Sequence, residues 1–375
     1  MTSARAYLDY NATAPLCPEA RAALIAALDV KGNASSVHAD GRQARGLIEK
    51  ARLDVAALVH AKPSEVVFTS GATESNTWVL NSGFDTIFVT GTEHVSVLAA
   101  AAASGARVIT VPVDPLGRVS EATVLEAIGK AGSLGRALLS VQMANNETGV
   151  VQDVAALAAV ARAAGLAVHT DAVQAAGRLS VDLAALNADF MSLSAHKMGG
   201  PKGAGALIVR DGLSLKPLMA GGGQERRRRG GTENIAAIAG FGAAAAAAGS
   251  QLGRVPQLRA LRDRMERDIL DVTPHAVVIS HQAERLPNTS CVALPGTLAE
   301  TLVIKLDLSG VSISAGSACS SGKVGASHVL AAMQVPQALT ASAIRVSIGG
   351  ATTEKEIAAF LSAWSQAALQ AGKAA

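Results

Sequence analysis

Short apolar runs recur along the first two thirds of the chain, each followed by a polar turn. Residues 66–69, 86–89, 107–113, 137–143, 167–171, 190–194 and 205–209 are rich in β-branched side chains and read as strands. The segments between them carry apolar residues mostly at helical spacing, as in Val154, Leu157, Ala158 and Ala161. Strands alternating with helices predict a largely parallel sheet covered by helices, with functional groups gathered at its carboxyl edge.

The pattern changes past the alanine-rich stretch 235–249, which reads as a buried helix and is shorter than the roughly 20 residues of a membrane span. Residues 251–269 combine Leu258, Leu261, Met265 and Ile269 with many charges, predicting a long amphipathic helix that leads into a second unit. There, 275–280, 289–294 and 344–348 read as strands and 298–307 and 354–371 as helices, a smaller α+β arrangement. The boundary is expected near residue 250, and no internal repeat or disordered linker is visible.

Composition narrows the classes. The chain has 375 residues and 49% of them are hydrophobic, enough for two units with ample cores. Aromatic residues make up only 3%, so close packing of helices through alanine is expected. A net charge of +3 is too slight to argue for nucleic acid or membrane as a partner, and Arg226 to Arg229 read as a solvated loop. Cys17, Cys291 and Cys319 show no CxxC spacing, which indicates neither a disulfide framework nor a zinc site, and no metal is expected. The amino terminus reaches Asp9 without an apolar h-region, so a cytoplasmic, reducing setting is expected.

The chemistry concentrates at strand ends. Ser194-Ala195-His196-Lys197 puts a lysine just past one apolar strand, and Asp171 closes another upstream. A lysine amine and a carboxylate at one sheet edge suit pyridoxal 5'-phosphate, which needs an amine for its aldehyde and an anion for its pyridine nitrogen. Ser70-Gly71-Ala72-Thr73-Glu74-Ser75-Asn76 follows a strand and opens a helix, either a phosphate cradle or an ordinary helix cap. No Walker-type loop is present, which disfavours nucleoside triphosphates. His94 follows the next strand and is either a proton-exchanging group against the cofactor or a surface or capping residue. Asn145-Asn146-Glu147-Thr148-Gly149 brings neutral hydrogen-bonding groups to the same edge. Cys319 lies among Gly316-Ser317-Ala318 and Ser320-Ser321-Gly322, small and polar neighbours that suit an exposed, mobile thiol, whereas Cys291 sits in an apolar strand and reads as structural. Arg345 is open to two readings, a substrate carboxylate or a structural ion pair.

In order along the chain, these motifs, together with Tyr7-Leu8-Asp9-Tyr10-Asn11-Ala12-Thr13-Ala14, Gly32-Asn33-Ala34-Ser35-Ser36-Val37-His38, Asp171-Ala172-Val173-Gln174, Gly199-Gly200-Pro201-Lys202-Gly203 and Gly230-Gly231-Thr232-Glu233-Asn234, resemble the cysteine desulfurases of NifS/IscS type, within the class V aminotransferase family of pyridoxal-phosphate enzymes. Two departures stand out: Ala34 replaces a frequent proline, and Ala315 a usual serine.

The resemblance implies an α/β protein of PLP-dependent transferase fold type I. It implies that Lys197 carries the cofactor as a Schiff base, Asp171 pairs with its pyridinium nitrogen and His94 stacks on its ring. Gln174 and Asn146 would address the phenolic oxygen. Ala72, Thr73, Ser194 and His196 would hold the phosphate, joined by Thr232 reaching from a second subunit of a homodimer. Asn33 and Arg345 would hold the carboxylate of L-cysteine. The thiol of Cys319 would accept its sulfur as a persulfide, leaving L-alanine, and pass it to a sulfur-acceptor or scaffold protein, with neither nucleic acid nor membrane as a direct partner. Three parts are expected: an N-terminal segment, 1–15, associated with the small domain; a large cofactor-binding domain, 16–250; and a small α+β domain, 251–375. A selenocysteine lyase or another class V lyase or transaminase would share Lys197 but survive loss of Cys319, and a catalytically idle scaffold would show no cofactor absorbance.

Overall fold

The computed structural model describes residues 5–316 and 327–372. Seven strands form the main sheet: β1 (Val66–Thr69), β2 (Thr86–Thr90), β3 (Arg107–Val111), β4 (Ala137–Ser140), β5 (Ala167–Asp171), β6 (Phe190–Ser194) and β7 (Gly205–Val209). Their spatial order is β1-β7-β6-β5-β4-β2-β3. The pairs β3/β2, β2/β4, β4/β5 and β5/β6 are parallel, and β7 runs antiparallel to both β6 and β1. The reversal has a local cause, because residues 195–204 contain only a short 3-10 turn and cannot carry a helical crossover back across the sheet. Strands β1, β2, β4, β6 and β7 are buried along their whole length and β5 from Val168 onward, as strands covered on both faces must be.

Two strands end earlier than their apolar runs. The run 137–143 parts from β2 after Ser140, because Glu93 Oε1 accepts the Gln142 N–H at 2.7 Å, while the Val141 and Met143 amides still bond the His169 and Asp171 carbonyls of β5. The run 107–113 stops at Val111. Val154, Leu157, Ala158 and Ala161 are all buried on the helix Val154–Ala163.

The helix Ile235–Gln251 packs against Pro18–Leu28 and Ala39–Leu58. Its small side chains permit the approach: a Cβ on Gly242 would lie 2.4 Å from Ala51 Cα. After a single turn, Leu252–Arg254, the chain continues as the helix Val255–Val272. By length and composition Ile235–Val272 could cross a membrane, yet 50% of its most apolar window is buried inside the protein.

A second core gathers Met265, Ile269, Leu302, Leu306, Ile344, Phe360 and Trp364 around a four-stranded antiparallel sheet. That sheet comprises β8 (Val277–Val278), β9 (Thr289–Ala293), β10 (Ser314–Ala315) and β11 (Ala343–Ser347), in the order β10-β11-β9-β8. The apolar run 275–280 supplies only the two residues of β8 to it. Near the amino terminus, Ala6–Tyr7 pairs in parallel with Val311–Ser312, and Ala6 and Leu8 join this second core. The chain then passes from Asp9 to Thr13 across the carboxyl edge of the main sheet, where the Ala14 amide bonds the His196 carbonyl at 2.8 Å.

Candidate active site

A cleft of about 600 Å³ opens at the carboxyl edge of the main sheet, within the range of small-molecule sites. Its wall includes Ala72, Thr73, His94, Asn146, Asp171, Gln174, Ser194, His196 and Lys197, brought together from segments far apart in the chain. The register explains the convergence: Thr69, Gly205 and Ser194 are direct partners at the ends of β1, β7 and β6. A Cβ on Gly205 would stand 2.6 Å from Gly71 Cα, so glycine is what lets the start of the helix Ala72–Leu80 sit down on the strand ends.

That helix begins without a side-chain cap. Ser70, the nearest candidate, instead donates its N–H (2.8 Å) and hydroxyl (2.5 Å) to Glu74, which is also paired with Arg229. The ordinary cap expected as one alternative is therefore absent, and the first-turn amides of Ala72 and Thr73 are left to an anion in the cleft. Two cations, Lys197 and Lys202, stand on the same wall.

Asp171 closes β5, where its Oδ1 accepts the Val173 N–H at 3.0 Å and its Oδ2 accepts Asn76 Nδ2 at 2.9 Å. Both carboxylate oxygens are thereby oriented by rigid elements. Lys197 ends the 3-10 turn after β6, and its Nζ donates to the backbone carbonyls of Asn11 (2.5 Å) and Ala12 (3.0 Å). His94 caps the helix Val95–Ala103: its Nδ1 accepts the Ser96 N–H at 3.1 Å, which leaves the ring proton on Nε2. Burial lowers its pKa, helped by Lys197 and His328 and opposed by Asp171, so the ring is neutral at neutral pH. His94 thus has the capping role of one reading and also lines the cleft. His196 contacts Thr13 Oγ1 through Nδ1 at 3.2 Å, and burial, with Lys197, Lys202 and Arg178 nearby, pulls it down to about 4.

Three expected site residues lie elsewhere. Arg345 is buried, donates to Asp9 Oδ1 at 2.7 Å and to the Asn146 carbonyl at 3.2 Å, and its Nε has no partner among the described residues. It therefore forms the ion pair that was one of its two readings, while bracing a residue of the cleft wall. Asn33 is exposed, with its Oδ1 accepting the Ser35 N–H at 2.8 Å. Thr232 is exposed on a separate pocket beside Ser70 and Gly203. Cys319 lies outside the described residues.

The arginine run is less solvated than expected, for Arg228 donates to the Ser64 carbonyl at 2.9 Å and Arg229 pairs with Glu74. Cys17 caps the helix Pro18–Leu28. Cys291 is fully buried and its thiol is pushed up to about 12.

Residues given no role from the sequence complete the site. Asn11 spans it, donating through Nδ2 to the Asn146 carbonyl (3.0 Å) and Thr289 Oγ1 (2.9 Å) while its own carbonyl takes Lys197 and Gln174. Glu93 is buried beneath the cleft and Arg178 beside it. The chemistry of this donor set fits pyridoxal phosphate: an amine, an oriented carboxylate, a flanking imidazole and free helix-start amides around a space large enough for a ring and a phosphate.

The class V aminotransferase family model matches residues 6–360. A cysteine desulfurase of Cereibacter sphaeroides is 44% identical over 94% of this chain and 93% of its own length. The X-ray structure of a NifS-like protein from Rickettsia africae superposes with a TM-score of 0.89 at 33% identity, covering 97% of this chain and 99% of the other. SspA in complex with cysteine superposes with a TM-score of 0.78 at 29% identity, covering 91% and 98%. The architecture is PLP-dependent transferase fold type I, and the chain belongs to the class V aminotransferase family, in its group of NifS/IscS-like cysteine desulfurases.

Proposed function

We propose that this protein binds pyridoxal 5'-phosphate and converts L-cysteine to L-alanine, passing the sulfur as a persulfide on Cys319 to an acceptor protein for iron–sulfur cluster or other thio-cofactor biosynthesis. The observation that carries this reading is the cleft itself, in which Lys197, Asp171, His94 and the uncapped amides of Ala72 and Thr73 share one wall. Bound there, the cofactor supplies a sink for the electron pair left when the substrate's Cα–H bond breaks.

The chain's own groups divide the remaining work. Lys197 holds the cofactor and, once displaced by substrate, its amine is the base for the Cα proton. Asp171, fixed by Asn76 and Val173, would pair with the pyridine nitrogen and keep its proton in place. Ser194 and His196 join the helix-start amides at the phosphate, and Thr232 completes the shell from the partner in a homodimer. Asn146 and Gln174 address the phenolic oxygen. His94 would flank the ring and, neutral with its proton on Nε2, could hand that proton to a neighbour and recover it.

Asn33 and Arg345 are assigned to the substrate carboxylate. Support for Arg345 is its Nε, a buried donor without a partner among the described residues, which a carboxylate would satisfy. In the sulfur step the C–S bond of the substrate breaks and an S–S bond to Cys319 forms, with the two thiol protons shared between the persulfide and alanine.

The test is the yield of alanine and sulfide from L-cysteine in the presence of a reductant. Equal yields from the intact chain, lost in Cys319→Ala, are expected. Undiminished turnover in Cys319→Ala would favour a selenocysteine lyase or another class V lyase, and an intact protein without cofactor absorbance would overturn the proposal.

A further inference from the structure

Gln174 lines the cleft with an amide, and an amide can face a ligand with either end: its oxygen accepts hydrogen bonds, its NH2 donates them. The orientation is decided from behind by Arg178. This guanidinium is buried, and its Nη1 donates to the Gln174 side-chain oxygen, to Asn11 Oδ1 at 3.0 Å and to the Gln174 carbonyl at 3.3 Å. Its Nη2 donates to the carbonyls of Tyr10 at 3.2 Å and Lys197 at 3.1 Å. All five acceptors are neutral, an unusual set for a buried cation. Burial and the nearby Arg345 pull Arg178 down to about 9, which leaves it charged at neutral pH.

A guanidinium has donors and no acceptor, so the end of Gln174 that meets it must be the oxygen. The NH2 is thereby turned away. One of its N–H groups goes to the Asn11 carbonyl at 3.0 Å, and the other is left for the cleft. The same guanidinium holds the main chain of Lys197 and the turn whose carbonyls receive the Lys197 amine. Arg178 is absent from the wall of the first cleft. It stands on the wall of a second cavity, of about 380 Å³, that Lys197 also borders.

We propose that Arg178 is a positioning residue that locks Gln174 as a hydrogen-bond donor toward the cofactor's phenolic oxygen and pins the backbone of Lys197 beside it. The inference rests on the cofactor assignment above. A donated guanidinium hydrogen also polarises the amide, which strengthens the bond made by the opposite end.

The test follows the visible absorption of the bound cofactor in the holoenzyme across pH, which reads the proton shared between the phenolic oxygen and the Lys197 nitrogen. Loss of a donor makes an oxyanion more basic. Arg178→Met should therefore raise the titration midpoint by about one pH unit, the scale of one hydrogen bond to a charged group. Arg178→Lys, which keeps a donor for the Gln174 oxygen, should restore most of the wild-type midpoint. Gln174→Ala should give the same rise as Arg178→Met, and the double variant no more than either alone. An Arg178→Met midpoint equal to wild type, or shifts that simply add in the double variant, would overturn the proposal.

Should Arg178→Met fail to fold, Gln174→Glu serves, because it keeps an oxygen for Arg178 and has no N–H for the cleft. Its midpoint should rise at least as far as that of Gln174→Ala, and an unchanged midpoint would sink the idea. A wild-type protein without a cofactor absorption band would instead overturn the cofactor assignment itself, and this proposal with it.

Discussion

Glu93 offers a direct test of the electrostatics beneath the cleft. Its side chain is completely buried, with Oε1 accepting from Thr90 Oγ1 and the Gln142 N–H, each at 2.7 Å, and Oε2 without a partner. Burial, reinforced by the charge of Asp171, raises its pKa from 4.5 to about 8, against the pull of those two hydrogen bonds. The folded protein therefore keeps this proton at neutral pH, whereas the unfolded chain releases it above 4.5. Because the folded state is the one that binds the proton, the stabilisation linked to it is complete below pH 4.5 and is lost as pH rises toward 8. In the interval where only the unfolded state is ionised the loss is about 1.4 kcal/mol per pH unit, and between pH 6 and 8 it amounts to about 2 kcal/mol.

Glu93→Gln keeps the oxygen that serves Thr90 and Gln142 and has no proton to lose. Urea unfolding at pH 6 and 8, followed through the buried Trp78 and Trp364, should show the variant gaining about 2 kcal/mol on wild type across that range. Parallel losses in the two proteins would refute the reasoning, because Glu93 would then not be protonated in the fold.

Three other perturbations probe the frame of the site. Gly205→Ala would drive a Cβ to 2.6 Å from Gly71 Cα and 2.8 Å from the Leu193 carbonyl, so a cost of about 1–3 kcal/mol and weaker pyridoxal phosphate retention in equilibrium dialysis are expected; an unchanged Tm would contradict it. Asn76→Ala removes an N–H from Asp171 and should cost about 2 kcal/mol in urea unfolding, with a change below about 0.5 kcal/mol showing that the bond is unimportant. Cys291, buried and with its thiol pushed up to about 12, should resist iodoacetamide at pH 8 until the protein is unfolded, and mass-spectrometric detection of native labelling there would disprove its burial.

Lys197, Asp171 and His94 are legible in the one-dimensional pattern because each sits at or just beyond the end of an apolar run, and in an α/β sheet such ends share an edge. Ala72 and Thr73 are legible for the same reason, although only the structure shows that their helix lacks a side-chain cap. Asn33 and Thr232, marked by motif alone, lie off the cleft of this single protomer. No role is assigned from the sequence to Asn11, Glu93 or Arg178, since their meaning arises from partners distant in sequence, such as Asn146 and Thr289 for Asn11 and Gln142 for Glu93.

Periodicity records how a segment divides itself between core and water, and this is a local property: it was enough to place the strands of the main sheet and the buried helix faces, though not every strand end. It contains nothing about neighbours. That β7 runs antiparallel between β1 and β6, that Glu93 peels the chain from β2 after Ser140, and that one buried guanidinium orients both Gln174 and Lys197 are consequences of register and close packing in three dimensions. A donor must find its acceptor within about 3 Å, and only the folded chain decides which acceptor that is.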